Sequence, residues 1–94
     1  MNKKQFNQLK REFLKTLFLL KRYSIKNKCS IWFTVTLIDI LKNAFITHNK
    51  SIIREINEML SIQPYNRDLK EKIKEYYFLL KLEKQNQKLS LIHI

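Results

Sequence analysis

The sequence predicts a single, mainly α-helical domain with a small β-hairpin at its end, and three observations carry that expectation. Apolar residues recur at spacings of three and four through several segments, the period of a helix with one buried face. After residue 77 the period changes to alternation, which is a strand signal. At 94 residues, with 45% hydrophobic and 29% charged, the chain has room for one core and a globular composition. Residues 1–28 are expected as a basic helix and connector, and residues 29–94 as the compact core.

The elements follow in order. Phe6, Leu9, Phe13, Leu17 and Leu20 mark a helix over 3–22, with Leu14 and Phe18 broadening its stripe. Residues 30–35 alternate Ile31, Phe33 and Val35 with Trp32 and Thr34, and their β-branched and aromatic content favours a short strand. A helix over about 37–47 would follow, with Thr36 and Asp39 as a capping box; one continuous buried helix is the alternative. Ser51 is the expected N-cap of a helix over 51–60, built on Ile52 or Ile53 with Ile56, Met59 and Leu60. Pro64 punctuates, and Asn66 caps a helix over 67–76 with Leu69, Ile73 and Tyr76 inside. Phe78, Leu80 and Leu82, then Leu89, Leu91 and His93, form the two arms of the expected hairpin around Asn86. The competing reading extends the helix from 67 to 85.

Charge is the strongest functional signal. Nineteen cations against eight acids give a net +11, and the excess is uneven. Residues 1–28 carry nine cations against Glu12 alone, a net +8, whereas residues 29–48 are neutral. Such an imbalance repels itself in a compact fold and points to a polyanionic partner. Glycine is absent altogether, which argues against phosphate-cradling loops, nucleophile elbows and dinucleotide fingerprints. Asparagine is the expected substitute at left-handed turns. Cys29 is alone and reads as a packed small residue, and His48 and His93 have no partners at ligand spacing. Neither an enzyme nor a cofactor nor a metal site is expected. No apolar stretch reaches the roughly 20 residues of a membrane span, no small-residue cleavage site follows residue 22, and a cytoplasmic location is expected.

The order from Leu37 to Ile94 resembles the winged helix-turn-helix family. The stretch Ser51-Ile52-Ile53-Arg54-Glu55-Ile56-Asn57-Glu58-Met59-Leu60-Ser61-Ile62-Gln63-Pro64 is similar to the second helix and turn of bacterial regulators, with Ser61 where glycine is usual and Tyr65-Asn66 lengthening the turn. The resemblance implies that helix 67–76 enters the major groove and that the hairpin is a wing on DNA backbone or minor groove. Arg67, Lys70 and Lys74 share one face of that helix; Arg67 suits guanine, Asn66 suits adenine, and the lysines suit phosphate. Lys84, Gln85, Asn86, Gln87 and Lys88 would form the wing tip. Lys3, Lys4, Lys10 and Arg11 offer a secondary DNA contact.

The expected function is therefore sequence-specific binding of double-stranded DNA, as a regulator or as an accessory factor of a mobile element, for example at an origin of plasmid transfer. A homodimer joined through residues 1–22 is expected, possible nucleoprotein partners are kept open, and a membrane is not the expected partner. The alternative is an all-helical basic interaction protein, immunity- or inhibitor-like, acting on a membrane or an acidic protein partner. RNA binding by a helical protein would use the same cations.

Overall fold

The computed structural model describes the backbone of residues 1–62 and 64–92, and the side chains of those residues through residue 83. It consists of four helices: α1 (Lys3–Lys26), α2 (Ile31–Ile46), α3 (Lys50–Ile62) and α4 (Arg67–Ile92). Local chemistry explains each start. Asn2 caps α1 by accepting from the Gln5 amide at 2.8 Å, and the Gln5 side chain returns the bond to the Asn2 amide. Ser30 Oγ accepts from Phe33 N at 3.1 Å, Asn49 Oδ1 from Ile52 N at 3.2 Å, and Asn66 Oδ1 from Leu69 N at 2.9 Å. Asn66 thus caps α4 as expected, whereas Asn49 takes the role expected of Ser51.

The ends of α1 and α2 are equally specific. Cys29 N donates to Ser24 O and Lys28 N to Ile25 O; Asn49 N donates to Ala44 O and His48 N to Phe45 O. Both are Schellman closures, which place one residue in the left-handed region. Those residues are Lys28 (φ 51°) and His48 (φ 57°), not asparagines. Asparagine stands just before or after each: the Asn27 side-chain amide donates to Tyr23 O at 2.9 Å, and Asn49 caps α3.

The fold class expected from the sequence is corrected in two places. No strand occurs among the described residues, so neither the hairpin nor a winged helix-turn-helix is present. Residues 78–92 continue α4. The cause is visible in Leu69, Ile73 and Leu80, all buried, which with half-buried Tyr76 and Tyr77 keep helical spacing through the apparent change of period. Residues 84–88 are helical, so they form no wing tip, and their side chains lie outside the described residues, as do residues 93 and 94 of the expected second arm. Residues 30–35 are likewise not a strand: Ser30 caps a single α2, the alternative reading, and Thr36 is buried inside it. Phe33, Leu37, Ile40, Leu41 and Ala44 form the inner stripe, and packing on that stripe overrides the strand propensity of Ile31 and Val35.

Packing is centred on α2, which touches all three other helices, while α1 also lies along α3. Helices α1 and α2 run antiparallel, since Phe6 and Phe13 meet Phe45 at one end and Tyr23 meets Phe33 at the other. Tyr65, in the α3–α4 connection, sets its ring edge-on to Phe33 at 5.1 Å, which fastens that connection to the core. The resulting body is flat, with principal extents of 47 × 32 × 17 Å.

Candidate functional site

The sites expected from the sequence separate into two regions of different character. On α4, Arg67, Lys70 and Lys74 are exposed, as is Asn66, whose side chain is engaged in capping. Lys70 Nζ sits 5.3 Å from the centre of the Tyr65 ring, a cation–π contact. Lys74 Nζ lies 3.6 Å from Glu71 Oε1. Asp68, Glu71 and Glu75 are interleaved with these cations, so the first half of α4 is a mixed-charge surface. A phosphate backbone would meet repulsion there as well as attraction.

Helix α1 is different. Lys3, Lys4 and Arg11 line one shallow surface depression together with Asn7 and Gln8, and Lys10 is exposed beside them. Lys15, Lys21, Arg22 and Lys26 continue the cations along the helix, all exposed. Its only acid, Glu12, is already engaged: Arg54 Nη2 of α3 approaches Glu12 Oε1 at 3.2 Å. The positive field of α1 is thus left uncancelled on its solvent side. Arg54 itself is offset by Glu12 in that pair, which ties α3 to α1 without adding net charge to the field.

The same face carries apolar residues that sequence reasoning placed inside. Leu14 and Phe18 were expected to broaden the buried stripe, yet both are exposed, and Ile25 joins them. The core side of α1 is set instead by Leu9, Thr16, Leu20 and Tyr23. A signal was available: Leu14, Phe18 and Ile25 fall on a row of their own, displaced from the Leu9–Thr16–Leu20–Tyr23 row. Exposed Ile31, Trp32, Val35 and Ile46 add to this surface from α2. Between the two helices runs an open groove of about 380 Å³, lined mainly by Leu17, Leu20, Ile25 and Ile38 and crossed by the Ser24–Thr34 hydroxyl pair at 2.9 Å.

Burial raises the pKa of three groups, Tyr23, Tyr76 and Cys29. Tyr23 is pushed up to about 12 by burial, with smaller contributions from Cys29 and Tyr65. Tyr76 is also raised to about 12, by burial first and then by its hydrogen bond to Glu55 and the charges of Glu55 and Glu75. Burial raises the Cys29 thiol, against a smaller opposing effect of Lys70. A thiol held protonated is a poor nucleophile. Among the described residues no group of three His, Cys, Asp or Glu side chains is placed to hold a metal ion. No helix among them is long and apolar enough to cross a membrane. Compared with protein-family models, curated proteins and solved structures, the chain matches none.

Proposed function

We propose that this chain is a non-catalytic helical interaction protein, immunity- or inhibitor-like in kind, held to an anionic partner by the cationic surface of α1. The observation that carries the reading is the concentration of exposed cations along α1, with its one acid turned to Arg54. Long-range attraction of that size steers association and sets its salt dependence. A helical body with a basic face supports this alternative over the DNA-binding regulator, whose reading leaned on a wing. Duplex recognition through α4 draws less support, because Asp68, Glu71 and Glu75 interrupt its cations and Lys74 is paired.

Two charge-reversed variants test the reading against a polyanion, dextran sulfate, and against duplex DNA, each over a salt series. Lys3→Glu, Lys4→Glu and Arg11→Glu together should abolish most of the salt-sensitive retention. Arg67→Glu, Lys70→Glu and Lys74→Glu together should leave the greater part of it. Sequence-selective duplex binding that disappears with Arg67→Ala would reverse the assignment and restore α4 as the functional helix.

A further inference from the structure

The charge on α1 does not explain why large apolar side chains share its face. Phe18 is 63% and Ile25 70% exposed, and with Leu14 and Lys21 they are spaced four, three and four apart along the solvent side of α1. Lys3 and Lys10 fall on the α2 flank of this row, while Arg11, Lys15, Arg22 and Lys26 fall on the other. Across the groove Ile31 is 83% exposed and Val35 stands one turn further on. Trp32, 44% exposed, lies about 60° round the α2 axis from Val35, at the edge of the same face.

We propose that the outer face of α1 and α2 is a membrane-docking surface for an anionic lipid bilayer. Phe18, Ile25, Ile31 and Val35 enter the boundary between headgroups and acyl chains, and the flanking lysines and arginines meet the lipid phosphates. The proposal rests on the charge reading of α1 and adds to it a partner and an insertion face. An apolar row bordered by cations on both sides is the pattern of helices that lie in the plane of a membrane interface. Each of those cations is attracted to an anionic leaflet, and the attraction holds the apolar row at the depth where it gains from burial.

Charge complementarity decides among occupants. A second copy of this face would bring Lys10, Lys21 and Arg22 against their own kind, and Asp39 is the one exposed acid on the α2 side to offset them. A nucleic acid backbone would satisfy the cations while gaining nothing from Phe18 or Ile25, which would stay wet or be covered by phosphate. A bilayer surface satisfies both.

The chain's only tryptophan makes the test direct. Phosphatidylglycerol vesicles and phosphatidylcholine vesicles would be titrated into the whole protein while the emission of Trp32 is followed. A second protein, Trp32→Phe with Phe18→Trp, moves the reporter to the middle of the α1 row. Expected is a blue shift with the anionic vesicles only, quenching by lipids nitroxide-labelled near the headgroup, and partitioning weakened roughly tenfold or more in Phe18→Ser with Ile25→Ser. Both substitutions are on exposed positions, and unchanged circular dichroism certifies the fold. Vesicle binding with no emission change from either reporter overturns the insertion face and leaves the cationic reading standing. Failure to bind anionic vesicles at low salt, with dextran sulfate still bound, overturns the membrane as partner but not the charge reading. Loss of both defeats the two together. A blue shift that grows with protein concentration in the absence of lipid, with a dimer in sedimentation, overturns the proposal in favour of a second copy.

Discussion

Asn57 Nδ2 of α3 donates to Thr16 Oγ1 of α1 at 3.0 Å, while the same hydroxyl donates to Glu12 O at 2.8 Å. Thr16 is fully buried, so its one oxygen both closes a bond within α1 and anchors a neighbouring helix. Beside it, Glu12 Oε2 is buried without a bonding partner, although Oε1 faces Arg54. The pair therefore fixes the register of α1 against α3 more specifically than apolar contact would. Thr16→Val keeps the shape and removes the acceptor, leaving the half-buried Asn57 amide unpaired. Such a loss costs about 1–3 kcal/mol. Chemical denaturation of Thr16→Val, Asn57→Ala and the double variant checks it: a shared bond requires the double variant to cost less than the two single losses added.

The two left-handed residues give a prediction of opposite sign. Lys28 and His48 hold φ at 51° and 57°, where a Cβ is crowded by the neighbouring carbonyl. Both side chains are exposed, and the packing set against the strain is the edge-on contact of the His48 ring with Phe6 at 6.4 Å. Replacing either by glycine removes the clash but adds freedom to the unfolded chain, with a net gain of about 1 kcal/mol each. Thermal melting of Lys28→Gly and His48→Gly should show a higher Tm for each, adding in the double variant. A fall in Tm would mean that these side chains make stabilising contacts that outweigh the backbone term.

How much of this could be read in advance differs from element to element. The inner stripes of α3 and of the first half of α4 were legible, because Ile56, Met59 and Leu60, and then Leu69 and Ile73, keep helical spacing, and the structure decides between Ile52 and Ile53 by burying Ile53. Helix α2 was ambiguous because it is apolar nearly all round: Ile31, Val35 and Ile46 are exposed, so alternation and helical period coexist in the same residues. The end of α4 misled for the reverse reason. Phe78 and Leu82 are exposed, and grouping them with Leu80 on one face produced an alternation of which only Leu80 is buried. On the candidate surface the cations were visible in the sequence. The apolar row was present there too, but Leu14 and Phe18 were assigned to the core stripe although they lie on nearly the opposite side of α1 from Leu9, Thr16, Leu20 and Tyr23. Exposed large apolar side chains thus account for most of the differences, and they are the residues that a docking surface would need.

Phe33 should be the most sensitive single position in the core. It is fully buried and stacks on Tyr23 at 6.0 Å while receiving the edge of Tyr65 at 5.1 Å, so one ring joins α1, α2 and the α3–α4 connection. Phe33→Ala should cost about 3–5 kcal/mol, and Phe33→Leu distinctly less because most of the volume is kept. Urea unfolding would show the difference as a shift in midpoint at constant slope. Equal and small losses for both substitutions would show that the aromatic cluster does not organise the fold as described.

Alkaline pH should weaken the fold through Tyr23 and Tyr76. An exposed phenol in the unfolded chain ionises near 10.0, while both of these are held to about 12 in the folded protein. The folded state therefore favours the protonated phenols, and its advantage is complete below pH 10. As pH rises from 10 towards 12 the unfolded chain releases protons that the folded chain keeps, so stability falls across that window. The accompanying observation is spectroscopic: Tyr23 and Tyr76 should form tyrosinate later in the folded protein than in the unfolded chain. Removing the Glu55 acceptor separates the causes acting on Tyr76, because Glu55→Gln deletes a charge while keeping an oxygen that can accept. In that variant the late phase of Tyr76 should move down and that of Tyr23 should stay where it was. Movement of both would place the origin of the shift in a loosening of the whole bundle rather than in the Tyr76–Glu55 contact.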